Sequence, residues 1–360
     1  MSIPRVTATV DLSAVRHNLQ RVRAFAPQSK VMAAIKADAY GHGAVPVARA
    51  LAEAGVDAFA VACLEEAVTL RDAGISTRIA LLEGVLSAEE AEEAAQLALE
   101  IVIHDRWQLE LLASLPTTTA LSVWFKLDSG MHRLGFPLSE APALQAALLA
   151  RPNWRLQGWI THLACADDRD SAMTSAQIAA FDTAMADISG PRSIANSAGL
   201  IAWPQARVDW VRPGLMLYGA SPMPGTVGSD LGLKPAMTVA SRLIAVHEVP
   251  AGDTVGYGGT YVCPEAMRVG VVAVGYADGV HRILPTGAPV LIHDQRVPII
   301  GRVSMDMITV DLRSLPQAAV GDAVTLWGPG LPAEEVATWA GTLSYELFCG
   351  LTNRVHYRYV

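Results

Sequence analysis

A lysine stands directly after a short apolar run near the N-terminus, in the stretch VMAAIKADAYGHG that covers residues 31–43. The run from Val31 to Ile35 has the length and composition of a buried strand, and Lys36 ends it. An amine can form a Schiff base with a carbonyl group, or act as a base once its neighbours lower its pKa. Lys36 is therefore the first candidate for chemistry in this chain.

Apolar runs later in the chain also end on polar or small residues. These positions are Lys126, Asp128, Arg133, His162, Asn196, Ser197, Arg212 and Gly214. Each one alone has an ordinary interpretation, because a charge after a strand is usually solvated and a lone histidine is usually a hydrogen-bonded core residue. Lys126 could simply pair with Asp128, which contributes about 0–1 kcal/mol when exposed. Convergence of all of them on one rim is much harder to obtain by chance.

The elements that must position these residues form a regular alternation. Eight short apolar runs, beginning at residues 31, 57, 78, 100, 121, 156, 192 and 208, alternate with segments of helical composition such as SAEEAEEAAQLAL. This order predicts an α/β fold, a (β/α)₈ barrel of the TIM type, in which functional residues lie where the strands end. An open doubly wound sheet is the alternative, but it normally uses fewer strands, and no GxGxxG follows the first run.

Small residues late in the predicted barrel suggest an anion site. Ser197, Gly199 and Gly214 follow the seventh and eighth runs, where such barrels often bind phosphate. A strand-end lysine, a phosphate site and Arg212 together indicate pyridoxal phosphate, held on Lys36 as a Schiff base.

The composition of the sequence changes at about residue 233. Segments such as TVASRLIAVHEV, RVGVVAVGYADG and APVLIHDQRVPIIGRV are rich in strand-forming residues and are interrupted by glycine and proline. We therefore expect two domains, a barrel over residues 1–232 and a mostly antiparallel β domain over residues 233–360.

Composition limits the classes of partner. The chain has 360 residues, 51% hydrophobic and 17% charged, with a net charge of -8. The acidic balance argues against nucleic acid or an anionic membrane as a partner. No apolar run approaches the ~20 residues of a membrane span and no signal core precedes the barrel, so we expect a cytoplasmic protein. The four cysteines lie far apart without CxxC spacing, so we expect reduced thiols and no metal.

Motifs in both predicted domains resemble those of the alanine racemases. In the barrel these are AIKADAYGHG, KLDSGMHRLGF, THLACAD, NSAGL and VRPGLMLYG, and in the second domain VGYGGTY, VGYADG, GRVSMDM and SYELFCGLTNRV. The motifs fall in the same order as in that family and cover essentially the entire chain. The resemblance implies a pyridoxal-phosphate-dependent isomerase that interconverts L-alanine and D-alanine.

The resemblance also implies roles for individual residues. Lys36 and Tyr257 would be the two bases. The cofactor contacts would be Tyr40, Asn196, Ser197, Gly214, Leu215 and Tyr345, most of them at the phosphate. Arg212 would face the pyridine nitrogen, and His162 would link Arg212 to Tyr257.

A second group of roles concerns the substrate. Arg133 would touch the cofactor's phenolic oxygen and the substrate carboxylate, oriented by Lys126, which in the family is commonly a carbamate. The second domain would contribute the backbone N–H of Met305, Tyr276 in the access channel, and the supporting residues Arg302 and Asp306. A homodimer whose sites are shared between chains is also implied.

The chemistry is consistent with this inventory of residues. Racemisation removes a proton from one face of a planar carbanion and delivers one to the other, so one base on each face is an economical solution. Lysine and tyrosine have ordinary pKa values near ~10.4 and ~10, so neighbours must make each a usable base. A cationic Arg212 should keep the pyridine nitrogen unprotonated and the carbanion short-lived.

Other interpretations stay open at this point. Tyr257 could be a packed aromatic at a glycine bulge, and Met305 could be a core residue. A racemase of broader specificity and a same-fold decarboxylase are the alternative enzymes, although the decarboxylases favour a glutamate in place of Arg212. A non-catalytic cofactor-binding barrel would lack the second domain. The product could supply D-alanine for peptidoglycan, or the reaction could serve alanine catabolism.

Overall fold

The computed structural model describes residues 4–360. The helices are α1 Leu12–Phe25, α2 Lys36–Gly41, α3 Ala44–Glu53, α4 Leu64–Asp72, α5 Ala88–Gln96, α6 Arg106–Ala113, α7 Ala141–Leu149, α8 Ala172–Ala184, α9 Ser197–Ala202, α10 Ala333–Trp339 and α11 Ser344–Cys349. The strands of the first half are β1 Thr7–Val10, β2 Lys30–Ala34, β3 Ala58–Val61, β4 Arg78–Leu81, β5 Glu100–Ile103, β6 Leu121–Asp128, β7 Phe136–Pro137, β8 Trp154–Ile160, β9 Arg192–Ser193 and β10 Trp210–Val211. Those of the second half are β11 Met237–Val249, β12 Thr254–Val255, β13 Tyr261–Val262, β14 Met267–Val272, β15 Pro289–Ile292, β16 Gln295–Ile300, β17 Ile308–Asp311, β18 Ala323–Trp327 and β19 His356–Tyr359.

Strands β2, β3, β4, β5, β6, β8, β9 and β10 pair in parallel and close on themselves. The ring closes where β10 pairs with β2, with Trp210 opposite Lys30, and where β5 pairs with β6, with Ile101 opposite Val123. All eight apolar runs of the sequence become strands of this barrel. The predicted (β/α)₈ fold is therefore confirmed, and its strands direct their carboxyl ends to one rim.

The interior of the barrel is filled by small and aromatic side chains. Ala58, Ala60 and Ala80 leave room for Trp124 and Trp210, whose rings meet edge to face at 5.8 Å between centroids. The alternate residues of the same strands pack outward against the helices, because successive side chains of a strand point to opposite faces.

Polar residues fill the end of the barrel opposite this rim. The Arg78 guanidinium pairs with buried Glu100 and lies 4.8 Å from the centre of the Trp210 ring. The indole Nε1 of Trp124 donates to the other oxygen of Glu100 at 2.7 Å. Arg78 and Glu100 are the first residues of their strands, so this cluster closes the amino-terminal end and leaves the opposite end for a site.

The second half of the chain forms an antiparallel sheet that also closes. Strands β14, β17, β16, β15, β18 and β11 pair in that order, and β11 returns to β14. The 13-residue strand β11 can serve both partners because its register shifts between Leu243 and Ala245, which bends it. Strand β1 extends this sheet, antiparallel to β11 and parallel to β19, so Thr7–Val10 packs with the second half of the chain. The division at residue 232 stays a prediction.

Within residues 4–360, no helix combines the length and apolar character needed to cross a membrane.

Candidate active site

A cavity of about 760 Å³ lies at the carboxyl ends of the barrel strands. Eleven of the residues singled out in the sequence line it: Lys36, Tyr40, Lys126, Arg133, His162, Asn196, Ser197, Arg212, Gly214, Leu215 and Tyr345. Tyr345 reaches the cavity from α11, together with Leu343 and Cys349. The cavity is thus built by the barrel and covered by a helix of the second half.

The chain after Lys36 makes a left-handed turn. Residues 37–40 all have positive φ, between 51° and 55°, although none of them is glycine. Left-handed helical geometry costs L-residues about 1–2 kcal/mol each, so surrounding contacts must hold this turn. The turn reverses the chain at once after β2 and brings both Lys36 and Tyr40 to the cavity wall.

A cradle for an anion lies where β9 and β10 end. The Ser197 hydroxyl oxygen accepts from the backbone N–H of Gly214 at 2.9 Å and of Met216 at 3.4 Å. The Asn196 side chain caps α9 by accepting from the N–H of Gly199 at 2.8 Å. A Cβ on Gly214 would collide with the Tyr40 hydroxyl, so only glycine lets this phenol approach the cradle.

Two phenols complete the cradle. The Tyr40 ring lies 4.9 Å from Tyr218 and 5.7 Å from Tyr345 between centroids. Burial raises the pKa of Tyr345 to about 12 and raises that of Tyr40 further, so both hydroxyls stay protonated and can donate. Neutral phenol donors beside a glycine-lined turn suit a phosphate, so these residues fit the phosphate group of pyridoxal phosphate.

Arg212 is fixed in the cavity floor by four contacts. Its Nη1 donates to the Ser193 hydroxyl at 2.6 Å, and its Nη2 donates to the Thr161 carbonyl at 2.5 Å and the Ile194 carbonyl at 3.3 Å. Nη2 also lies 3.3 Å from Nδ1 of His162. Burial lowers the pKa of Arg212 to about 10, so the guanidinium stays charged at neutral pH.

The cavity carries an excess of positive charge. Lys36, Lys126, Arg133 and Arg212 line it, with Glu83 as the carboxylate among the lining residues. Burial, followed by the charges of Arg212, Arg133 and Lys36, lowers the pKa of Lys126 to about 8. Burial and the same cations lower the pKa of His162 well below its ordinary value, so this imidazole is neutral. Such a cavity favours anionic ligands, such as a phosphate and a carboxylate.

The other predicted site residues lie elsewhere on the described surface. Tyr257 stands at the tip of the β12–β13 hairpin, after Gly256 with φ 76°, and is 71% exposed. Met305 and Tyr276 are 52% and 39% exposed and belong to adjoining loops, where the N–H of Tyr276 donates to the Ser304 carbonyl at 3.0 Å. Of the described residues that line the cavity, none comes from this group.

The supporting residues belong to the same second group. The carboxylate of Asp306 accepts from Nη2 of Arg354 at 2.8 Å, and its carbonyl accepts from Arg5 at 2.7 Å. Arg354 also contacts the buried carboxylate of Asp278 at 3.2 Å. A Cβ added to Gly258 would lie 3.2 Å from the Arg302 guanidinium, which places Arg302 beside the Tyr257 hairpin. Arg5 and Arg354 thus connect the Met305 loop, through Asp306, to segments near the two ends of the chain.

Three residues that contact the site were missed in the sequence. Ser193 and Thr161 bind Arg212, and Glu66 binds the backbone after Lys36. Ser193 ends β9 and Thr161 directly follows β8, and alternation along those strands is a signal that could have found them. Glu66 lies on α4, 30 positions from Lys36, and no local pattern indicates its partner.

The fold and site together define a class. A closed parallel barrel with a lysine at a strand end, a phosphate cradle and a buried guanidinium, followed by an antiparallel β barrel, defines a pyridoxal-phosphate-dependent barrel enzyme.

Comparison with known proteins identifies the family. Residues 10–222 match "Alanine racemase, N-terminal domain" and residues 236–359 match "Alanine racemase, C-terminal domain". The alanine racemases of Thioalkalivibrio sulfidiphilus and Nitrosococcus oceani are both 50% identical, over 98% and 99% of this chain and of their own lengths. The chain belongs to the alanine racemase family, and its activity is the pyridoxal-phosphate-dependent racemisation of alanine.

Solved structures agree with this assignment. The biosynthetic alanine racemase of Pseudomonas aeruginosa superimposes with a TM-score of 0.95 at 47% identity, covering 99% of this chain and 100% of that one. The alanine racemase of Bartonella henselae, solved with covalently bound pyridoxal phosphate, gives 0.90 at 30% identity, covering 99% and 100%.

Proposed function

We propose that this chain racemises alanine with two bases, Lys36 and Tyr257, which act from opposite faces of the substrate. The observation that carries the proposal is the division of the predicted site residues into two groups. One group, with Lys36, lines the cavity at the barrel rim, and the other, with Tyr257, is exposed on the second half of the same chain. A site complete with both bases therefore needs a second copy of the chain.

When bound, pyridoxal phosphate withdraws electrons from the α-carbon of an amino acid and so acidifies its α-proton. Lys36 Nζ would remove or deliver that proton on one face, and the Tyr257 hydroxyl would do so on the other. His162, neutral and 3.3 Å from Arg212, can accept a hydrogen bond and would connect Tyr257 to Arg212.

The cofactor would be held at its two ends by different parts of the cavity. Its phosphate would be held by Tyr40, Ser197, Gly214, Leu215 and Tyr345, with Asn196 shaping the turn. Arg212, whose guanidinium stays charged, would face the ring nitrogen and disfavour its protonation.

The substrate carboxylate needs a cationic side chain as its binding partner. Arg133 would bind it, oriented by Lys126. Because the pKa of Lys126 is about 8, a fraction of its amine is uncharged at neutral pH and can react with carbon dioxide to form a carbamate. The carbamate would convert one of four cavity cations into an anion that pairs with Arg133.

The partner subunit would contribute the exposed group of each site. We propose a homodimer in which Tyr257, Tyr276, Met305, Arg302 and Asp306 close the cavity of the other chain. Closed two-fold dimers are the commonest symmetric assembly of soluble proteins. We also place the enzyme in the cytoplasm, where it would supply D-alanine for peptidoglycan or take part in alanine catabolism.

The proposal also covers the range of amino acids that the enzyme accepts. Tyr345 and the Met305 loop would limit the side-chain space, so alanine should be preferred over larger amino acids. Comparable turnover of lysine or arginine would instead indicate a racemase of broader specificity.

The test combines labelling with product analysis. The purified protein is incubated with pyridoxal phosphate, reduced with borohydride and digested, and the labelled peptide is identified. We expect the label on Lys36, the lysine proposed to carry the cofactor. The chain has four lysines, Lys30, Lys36, Lys126 and Lys234, so peptide mapping can distinguish them. Label on another lysine contradicts the assignment. Chiral analysis of alanine, serine, lysine and arginine, with assay of released carbon dioxide, then separates a racemase from a decarboxylase.

A further inference from the structure

The peptide bond that follows Lys36 is held by one carboxylate. Oε1 of Glu66 accepts from the backbone N–H of Ala37 at 2.7 Å. That N–H belongs to the peptide joining Lys36 to Ala37, so the contact restrains ψ of Lys36 and φ of Ala37 together. Ala37 is the first residue of the left-handed turn, with φ 51°.

The second oxygen of Glu66 makes an equivalent contact on the neighbouring strand. Oε2 accepts from the N–H of Ala62, directly after β3, at 2.7 Å. Since β2 and β3 are adjacent strands of the barrel, a single half-buried carboxylate bridges the carboxyl ends of both. Both hydrogen bonds have a charged acceptor, which makes them stronger than bonds between neutral groups.

Two other loops of the barrel contain the same bond between a loop N–H and a side chain of the helix that follows. After β4 the N–H of Leu86 donates to Glu90 Oε2 at 2.7 Å, and after β5 the N–H of His104 donates to Gln108 Oε1 at 3.0 Å. In all three loops the acceptor lies four positions after the donor, on the helix that follows the strand. Gln108 also reaches the loop of the preceding strand, where its Nε2 donates to the carbonyls of Glu83 at 2.9 Å and Val85 at 3.3 Å. Glu66 differs from the other two because its second contact, onto Ala37, accepts from the backbone N–H that follows Lys36.

The turn that Glu66 holds has little intrinsic preference for its geometry. Four consecutive L-residues in the left-handed region would return to more favourable conformations if their contacts were lost. Asp38 restrains the far end, because its side chain accepts from the N–H of Ala44 at 2.6 Å. Glu66 restrains the near end, at the residue from which the Lys36 side chain projects.

We propose that Glu66 is a positioning residue for Lys36: its carboxylate fixes the Lys36–Ala37 peptide, and through it the direction in which the amine enters the cavity. The inference rests on the proposed role of Lys36 as the lysine that carries the cofactor. Glu66 itself does not line the cavity, so its effect passes through the backbone.

The experiment measures how fast Lys36 reacts in full-length protein freed of cofactor. Wild type, Glu66→Ala, Glu66→Gln and the matched control Glu90→Ala are mixed with pyridoxal phosphate, quenched with borohydride at timed intervals, and mapped by peptide mass. Lys126 also lines the cavity, whereas Lys30 and Lys234 are exposed, so the distribution of label reports the direction of Lys36. Thermal melting of each variant reports folding separately.

We expect Glu66→Ala to label Lys36 roughly tenfold or more slowly, with a rising share on Lys126, because small displacements of a reacting group cost large factors in rate. Turnover of alanine should fall by a similar factor with a smaller change in KM. Glu66→Gln keeps one acceptor and should be intermediate, while Glu90→Ala should label Lys36 at the wild-type rate.

The outcomes separate the inference from the proposed function. If wild type is labelled mainly on a lysine other than Lys36, the proposed function fails. If wild type is labelled on Lys36 and folded Glu66→Ala is labelled equally fast, the positioning role is wrong. Should Glu66→Ala not fold, Glu66→Gln decides in the same way, since wild-type labelling by that variant overturns the proposal. Slow labelling in Glu90→Ala as well would also overturn it, because the effect would then belong to any loop of this kind.

Discussion

Single residues in the cavity owe their protonation states to burial and to one another. Desolvation leaves His162 neutral and keeps the phenols of Tyr40 and Tyr345 protonated, while Arg212 stays charged. Lys126 has a pKa of about 8, so its charge changes near neutral pH. The charge of the cavity therefore depends on pH through this lysine.

The state of Lys126 yields a prediction about carbon dioxide. A carbamate forms from the uncharged amine, whose fraction is roughly a tenth at pH 7 for a pKa of about 8, against less than about a thousandth for an ordinary lysine. Because the pKa is lowered, the carbamate should increase as pH rises from about 6.5 to about 8.5. Isotopically labelled bicarbonate and NMR would detect it.

The control for this prediction is Lys126→Ala, which should lack the carbamate signal while retaining the fold. A signal of equal strength in that variant would place the carbamate elsewhere. A signal in wild type that does not change with pH would contradict the lowered pKa of Lys126 as its cause.

At the scale of elements, the left-handed turn α2 depends on close packing against α11. A Cβ on Gly41 would overlap the backbone carbonyl of Phe348, and Gly41 has φ 73°. The His42 ring lies between Tyr218 and Phe348, at 4.5 and 4.9 Å between centroids. The helix that carries Tyr345 is therefore seated directly on the turn that carries Lys36 and Tyr40.

Gly41→Ala should destabilise the protein by roughly 2–5 kcal/mol, the sum of a left-handed penalty and an overpacking penalty. The matched control is Gly74→Ala, because Gly74 has φ 80° but nothing within 4 Å of an added Cβ. This control should lose only about 1–2 kcal/mol. Denaturant unfolding measures both variants, and equal losses would show that the contact with Phe348 relaxes.

At the scale of the whole molecule, the two groups of predicted site residues lie on different parts of the chain's surface. Lys36 belongs to the cavity, and Tyr257 belongs to an exposed hairpin. Large apolar side chains of the second half are also exposed, among them Val262 of the same hairpin, Met305 and Met307. A second copy of the chain would both cover these side chains and complete the site.

Complementation between inactive variants tests the shared site. Lys36→Ala and Tyr257→Phe are unfolded together and refolded in equal amounts, so that about half of the dimers are mixed. One site of each mixed dimer then carries neither lesion, and activity should recover to about a quarter of the wild-type value.

The control mixture is Lys36→Ala with Lys36→Arg. Both lesions lie in the cavity, so every site keeps one of them and no recovery is expected. Absence of recovery in the first mixture, with exchange of subunits demonstrated by mass, would mean that both bases come from one chain.

Much of the architecture could be predicted because it follows from local patterns. The eight apolar runs become the eight barrel strands, since periodicity and flanking helix signals act within a few residues. Most of the polar residues at their ends converge on one cavity because parallel strands share a rim. Asp128 was expected there too, but it does not line the cavity, because its carboxylate accepts from the backbone of its own loop at Gly130 and Met131. The family resemblance extended this list to Tyr345, whose position at the cavity no periodicity could indicate.

What the sequence by itself determined was the fold class, the family and the group of polar residues that line the cavity. Tertiary structure alone decided that Thr7–Val10 pairs with β11 and β19, that residues 37–40 adopt a left-handed turn, and that Glu66 holds it. It also decided that Tyr257 lies away from the cavity of its own chain. The physical reason is range: strand and helix preferences arise between neighbours, whereas these features depend on contacts between distant segments, which overrule local conformational preference.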